Sequence, residues 1–248
     1  MASASEVSVQ QRVPAITGRN GLVDRYFYLF ASLLIAAIVV WGFSHSIDQN
    51  LIHASPPRPL LLWFHGAAFS AWVLFFIFQS ALVRTRNVKW HRFFGWFGVA
   101  LGTVMVPIGI ATAIAKGRQE LAEFWGPDAG ANLLVGFFDA LAFGVFFALA
   151  IFCRKNPELL RRLMFIATCG LLYSAFLRFG VVGDHALFFP LVDLVIGLGV
   201  LRDLIVDRRV HKVYLIALPT LIVAQAFVTY AWTYNSAWWL RIAQAIIG

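Results

Sequence analysis

Seven long runs of apolar residues alternate with short polar segments along the chain. The runs lie near residues 26–43, 60–83, 93–115, 132–153, 163–180, 185–203 and 211–232. Each has about 18 residues or more, enough for a helix to cross ~30 Å of hydrocarbon. They are too long for strands and lack the alternation of a membrane β-barrel. The pattern therefore predicts an all-α fold, an integral membrane bundle of seven transmembrane helices.

The polar segments at the two ends of the chain complete the predicted organisation. Residues 1–22 are polar and lack the basic-then-apolar order of a signal peptide, which predicts a short cytoplasmic tail. Residues 23–235 form the seven-helix domain. Residues 236–248 contain WWLRIAQAII, which is too short to span and is predicted to lie along the outer membrane surface.

Basic residues are distributed unevenly between the two sides of this topology. With the N-terminus inside, the outer side holds five of the twenty lysines and arginines: Arg58, Lys116, Arg118, Arg178 and Arg241. Short cytoplasmic loops are rich in Lys and Arg, so the asymmetry predicts a cytoplasmic N-terminus and a periplasmic C-terminus. We expect a multi-pass protein of a bacterial inner membrane.

Composition agrees with lipid as the main partner of the chain. The sequence is 60% hydrophobic and 13% charged, against roughly 25% charged residues in an average soluble domain. The net charge of +8 comes from basic residues in short loops, which is not the pattern of a nucleic-acid-binding protein. The inner segment RTRNVKWHRFFGW, 84–96, predicts contact with anionic lipid.

Small residues recur at helical spacing in the third and fourth runs. Glycines stand every seven residues at Gly95, Gly102 and Gly109, and small residues every four at Gly136, Ala140, Gly144 and Ala148. Such stripes let helix backbones approach closely. We therefore expect both helices inside the bundle.

Polar residues inside the apolar runs are the candidates for chemistry, because they are costly in hydrocarbon and usually face a bundle interior or a wet cavity. His65 shares a stripe of the second helix with Trp72 and Gln79. A larger set falls in the outer half of the predicted bundle: His65, Asp139, Arg178, His185 and Asp193. One interpretation is a ligand-binding pocket open to the periplasm. The other is a structural brace in which Arg178 pairs with the two aspartates.

Outer-side histidines raise the possibility of a metal or haem site. His45, His65 and His185 lie on that side, and imidazole is a ligand for copper, zinc and haem iron. A b-type haem or a copper ion bound by two of them is the hypothesis. Cys153 and Cys169 form no CxxC or zinc spacing and are interpreted as buried thiols.

Three functions follow from these features, and the sequence does not decide whether any reaction is catalysed. The first is a proton- or ion-coupled carrier or sensor, in which Asp139 and Asp193 exchange protons and Arg178 holds an anionic group. The second is a redox protein that carries haem or copper. The third is a non-catalytic subunit that contacts another membrane protein or a second copy of itself.

Several of these residues also carry a family resemblance. The order His65, Gln79, Arg84 and His91-Arg92 with Gly95 is followed by PELLRRLM at 157–164 and RDLIVDRRVH at 202–211. Over residues 60–211 the chain resembles a widespread group of bacterial polytopic inner-membrane proteins of uncharacterised activity. The resemblance implies a seven-helix inner-membrane protein and no particular chemistry.

Overall fold

The computed structural model describes residues 19–55, 57–123, 127–179 and 188–248, and over these ranges the chain is helical with no strand. The α-helices are α1 (Arg19–Ser44), α2 (Leu60–Arg84), α3 (Val88–Ala122), α4 (Pro127–Phe152), α5 (Pro157–Gly170), α6 (Tyr173–Phe176), α7 (Phe188–Val206), α8 (Lys212–Thr233) and α9 (Ala237–Ile247). A short π-helix, Asp48–Ile52, follows α1.

Six helical segments of the described chain are long and apolar enough to cross a membrane. They are 21–44, 60–84, 88–122, 128–152, 157–176 and 212–233. The protein is thus an all-α, multi-span membrane protein, as the apolar runs predicted. The sixth predicted run corresponds to α7, a helix of 19 residues that carries Asp193, Arg202 and Asp203. The seventh crossing stays a prediction.

Contacts between helix ends arrange the bundle in an up-and-down order. At one end, which we call the charged end, the start of α1 contacts the ends of α2 and α7, through Tyr26 with Arg84 and Asp24 with Arg202. At the other end, the α9 end, the start of α4 contacts the last turn of α8, where Trp232 donates to Asn132 at 3.0 Å. Successive long helices therefore run antiparallel.

Close packing of α3 against α4 depends on small residues, as predicted. A Cβ on Gly102 would stand 2.5 Å from the Phe147 ring, and one on Gly136 would stand 2.8 Å from the Cβ of Ala113. Gly98, Gly102 and Gly109 are buried. A larger residue at Gly102 or Gly136 would push the two helices apart, and one at Gly98 would meet the Phe75 ring of α2.

The fifth predicted run differs from the observed helix. It was expected over 163–180, but α5 begins at Pro157, where Asn156 caps the helix by accepting from the backbone N–H groups of Glu158 and Leu159. The charged turn before Leu163 belongs to the helix because its proline and cap start it early. The helix then ends at Gly170 and continues as the short α6.

The C-terminal helix α9 packs on the bundle. Trp239, Ala243 and Ile247 are buried, and the Trp239 indole donates to the Gly130 carbonyl at 2.7 Å. This helix is the predicted interfacial segment, and its position at the outer surface stays a prediction. At the other terminus, helix α1 already begins at Arg19, inside the predicted polar tail, whose residues 1–18 lie outside the described residues.

Candidate functional site

His65 lies in the second turn of α2, with its ring inside the bundle. The imidazole stacks on Phe69 with 4.1 Å between ring centroids, and its buried Nδ1 has no hydrogen-bond partner among the described residues. The charge of Arg178 acts on this imidazole. These two predicted pocket residues, on α2 and beyond α6, therefore lie within range of an electrostatic interaction.

Arg178 follows α6 and points its guanidinium at α1. Its Nη1 donates to the Ser174 carbonyl at 2.5 Å, and its Cζ lies 4.4 Å from the centroid of the Phe43 ring. Within the described ranges no carboxylate lies within ion-pair distance of it, so the direct pairs of the brace interpretation do not form there. Arg178 is thus a part-buried cation that forms no ion pair with any described carboxylate.

The two aspartates of the predicted pocket occupy separate surroundings. Asp139, in the middle of α4, interacts electrostatically with Tyr173, whose ring contacts Phe189 with centroids 4.5 Å apart. Asp193, in the second turn of α7, accepts a hydrogen bond from Gln225 of α8 at 3.1 Å. Each carboxyl group thus faces its own helix pair.

Of the other candidate histidines, the structure describes only His45, which bonds groups of its own helix end. His45 is exposed at the end of α1, and its Nδ1 lies 3.0 Å from the Trp41 carbonyl and 3.1 Å from Ser44 Oγ. His185 lies outside the described residues. Over the part of the chain that the structure describes, no group of three or more His, Cys, Asp or Glu side chains is arranged to hold a metal ion.

A second polar site, at the charged end, was not predicted as a site. Its centre is Asp203 of α7, which is fully buried and accepts two hydrogen bonds from Arg162 of α5, at 2.7 and 3.0 Å. Arg202 donates to the same carboxylate at 2.8 Å and to Asp207 at 2.6 Å. Both arginines are almost completely buried.

Further contacts extend this group to α1 and to the start of α8. Arg202 also bonds Asp24 of α1, and Arg162 donates to Glu158 at 2.5 Å. The backbone N–H of His211 donates to Asp203 at 3.2 Å. We call the ion-paired set the charged cluster: Asp24, Glu158, Arg161, Arg162, Arg202, Asp203 and Asp207.

The charged cluster borders a half-open cavity of about 540 Å³, lined also by Arg209 and His211. Its four carboxylates face three arginines, so the buried charges are compensated within the protein. Such an arrangement ties helices together and leaves no free acid or base at its centre. The cluster therefore holds α1, α5, α7 and the start of α8 together through ion pairs and hydrogen bonds.

A sequence signal for the charged cluster existed but was interpreted differently. Glu158 and Arg162 stand four residues apart, as do Asp203 and Asp207, so each pair lies on one helix face. The positive-inside rule treats these arginines only as cytoplasmic basic residues. It takes no account of acidic residues beside them. The rule therefore does not predict the ion pairs between helices, such as Arg162 with Asp203.

Comparison of the chain with protein-family models, with curated proteins and with solved structures gives no match. The functional assignment therefore rests on the geometry of these residues.

Proposed function

We propose that the protein is a carrier or sensor in a bacterial inner membrane that binds a small anionic ligand at Arg178. The observation that carries this proposal is the guanidinium of Arg178 against the Phe43 ring, within electrostatic range of His65 and with no described carboxylate within ion-pair distance. A part-buried arginine with unused donors attracts carboxylate or phosphate groups, which it binds through paired N–H donors. Asp139 and Asp193 then serve as proton-exchanging groups of the same half of the bundle.

The proposal includes seven crossings, with the N-terminus cytoplasmic and the C-terminus periplasmic. Helix α7 is held at both ends against the preceding span: Phe188 contacts the Tyr173 ring at 5.9 Å, and Asp203 pairs with Arg162. Helix α7 thus begins beside the end of the 157–176 span and ends beside the start of that span. It therefore covers the same distance across the bundle in the opposite direction. Pairing of its buried charges lowers the cost of placing them at membrane depth.

The test uses purified protein in proteoliposomes that contain a pH-sensitive dye. Inward gradients of acetate, succinate, phosphate or sulfate are imposed one at a time, and internal pH is recorded together with the melting temperature of the protein in each anion. A carrier changes internal pH in an anion-dependent manner beyond the change in empty liposomes, which neutral acetic acid crosses without a protein. A sensor shows the rise in melting temperature alone, because ligand binding stabilises the folded state.

The decisive variant is Arg178→Gln, with Arg241→Gln on the exposed face of α9 as the matched control. We expect Arg178→Gln to abolish both responses and the control to keep them, since Arg178 is part-buried against Phe43 of α1 whereas Arg241 is exposed. If none of the four anions produces either response in the wild type, or if Arg178→Gln responds like the control, the proposal is wrong.

A redox function is the second candidate, favoured by the buried Nδ1 of His65 that has no partner. A ring nitrogen in this state is available to a metal or a haem iron. The absorption spectrum of the purified protein, oxidised and dithionite-reduced, with iron and copper analysis, tests it. Near-stoichiometric metal that is lost in His65→Ala supports this function, and a colourless, metal-free protein contradicts it.

A further inference from the structure

An aromatic groove runs along the outside of the α2–α3 hairpin. It has a volume of about 620 Å³, and it is lined by Phe75, Phe78, Phe93, Phe94, Trp96 and Phe97. Phe93, Trp96 and Phe97 are each more than half exposed. The groove is thus an apolar concavity on the surface of the bundle.

The depth of the groove fits one leaflet of a bilayer. Phe75 and Phe97 each lie nine residues from the hairpin ends, Arg84 and Val88. At ~1.5 Å per residue the groove reaches about 14 Å below the turn, close to half of a ~30 Å hydrocarbon core. This is the depth that a single phospholipid acyl chain occupies.

Basic residues surround the mouth of the groove, and no acid balances them. Arg86, Lys89 and Arg92 are exposed at the hairpin, and the sequence has no Asp or Glu between Asp48 and Glu120. None of these three residues takes part in an ion pair within the described ranges, whereas Arg162 and Arg202 each pair with three carboxylates. The hairpin is therefore a locally uncompensated positive surface.

Two ring contacts join the basic mouth to the aromatic groove. Trp90 stacks on Phe94 with centroids 5.8 Å apart, and the Arg154 guanidinium from the end of α4 lies 5.8 Å from the Trp96 ring. Tryptophan at this level anchors to lipid headgroups. A phosphate above the groove would meet basic side chains from both α3 and the end of α4.

We propose that this groove is a binding site for an anionic phospholipid. One acyl chain lies against the aromatic rings, and the headgroup phosphate contacts Lys89, Arg92 and Arg154. Binding needs both an acyl chain in the groove and a negative charge on the headgroup. The site therefore distinguishes lipids by headgroup charge as well as by acyl chain. The inference does not depend on the ligand proposed for Arg178.

The experiment is native mass spectrometry of the full chain in neutral detergent, titrated with phosphatidylglycerol and, separately, with phosphatidylcholine of the same chains. We expect the wild type to retain phosphatidylglycerol in preference. The double variant Lys89→Gln/Arg92→Gln should weaken phosphatidylglycerol binding on the order of tenfold or more and leave phosphatidylcholine binding unchanged. Phe93→Ala should weaken binding of both lipids, because it removes groove surface.

Matched controls separate this site from general charge and general lipid contact. Arg118→Gln/Arg241→Gln removes the same charge at the α9 end, and Phe227→Ala removes a ring of α8 that is also more than half exposed. Both controls should behave like the wild type, and circular dichroism checks that all variants fold. Equal retention of the two lipids by the wild type, or equal loss in the variant and its control, would overturn the proposal.

Discussion

Asp203 is the residue on which the charged cluster depends. Its carboxylate is fully buried and receives donors from Arg162, from Arg202 and from the backbone of His211. Burying three charges is tolerated here because each has a partner at hydrogen-bond distance. Removing the central acid leaves two buried guanidinium groups with too few acceptors.

We predict that Asp203→Asn lowers the free energy of unfolding by about 3–5 kcal/mol, the usual cost of an uncompensated buried charge. Asp207→Asn, the control, should cost much less because the Asp207 side chain is 35% exposed and water replaces its contacts. Denaturant unfolding in detergent, followed by circular dichroism, measures both. Equal effects of the two substitutions would show that Asp203 is not central.

His211 predicts a pH dependence at the same end of the bundle. Its Nδ1 accepts from the Val213 N–H at 3.2 Å, and burial, followed by the charge of Arg162, lowers its pKa below the usual value. The nearby acids Asp203, Glu158 and Asp207 act in the opposite direction but do not reverse the shift. A lowered pKa means that protonation costs more in the folded state than in the unfolded state.

The contribution of His211 is therefore present above its unfolded pKa and is lost as the pH falls below it. We expect unfolding free energy to decline from about pH 8 to about pH 5.5, before most carboxylates titrate. His211→Asn should flatten that decline, since asparagine caps a helix without titrating. A slope that stays the same in the variant would assign the pH dependence to other groups.

At the scale of elements, one close approach between helices positions Arg178. Gly42 of α1 is buried against the backbone of Ala175 in α6, with no room for a Cβ. The neighbouring Phe43 ring meets the Arg178 guanidinium. The absence of a side chain at Gly42 therefore brings α1 close enough to cover the proposed anion site.

We predict that Gly42→Ala separates α1 from α6, destabilises the fold by about 1–3 kcal/mol as overpacking does, and weakens the anion response in proteoliposomes. Gly95→Ala on α3 is the control, because a Cβ there meets nothing within 4 Å. Melting temperature and anion-driven pH change are read on both variants. An unchanged anion response in Gly42→Ala would show that the α1–α6 contact at Gly42 does not position Arg178 for anion binding.

The helices were largely predictable from the sequence, whereas the polar partners were not. Apolar runs located the spans because membrane thickness sets helix length. The charged start of α5 was missed because hydropathy stops at Arg162, although the Asn156 cap and Pro157 mark a helix start. The sequence predicts the pocket candidates only as single residues, and that pocket stays a prediction. The Asp193–Gln225 pairing depends on helix rotation, which periodicity alone does not fix.

For the whole molecule, the path of α7 decides the topology. Because its ends meet both ends of the 157–176 span, we expect the loops at Lys155 and Arg208 to lie on one side of the membrane and Arg241 on the other. Single cysteines at these positions, in a chain with Cys153 and Cys169 replaced by alanine, can be labelled with membrane-impermeant maleimide in spheroplasts. We expect Arg208→Cys and Lys155→Cys to be labelled from the same side of the membrane. Arg241→Cys should be labelled from the opposite side.

Six crossings would give a different labelling pattern. If α7 does not cross, Arg208→Cys and Lys155→Cys react from opposite sides. Labelling in broken membranes shows that each cysteine is reactive when reached. Maleimide reaction at Arg241→Cys in intact spheroplasts, without reaction at the other two positions, also tests the predicted orientation.

The packing of α9 on α3 and α4 affects how the protein can be handled in the laboratory. Reporter fusions for topology mapping are often joined after truncation of the last apparent span, here near residue 235. Such a truncation removes Trp239, Ala243 and Ile247 and uncovers Gly117 and Gly130, which those side chains and Leu240 cover. Fusions joined after Gly248 through a flexible linker preserve the packing of α9 on α3 and α4. They therefore report on the topology of the intact bundle.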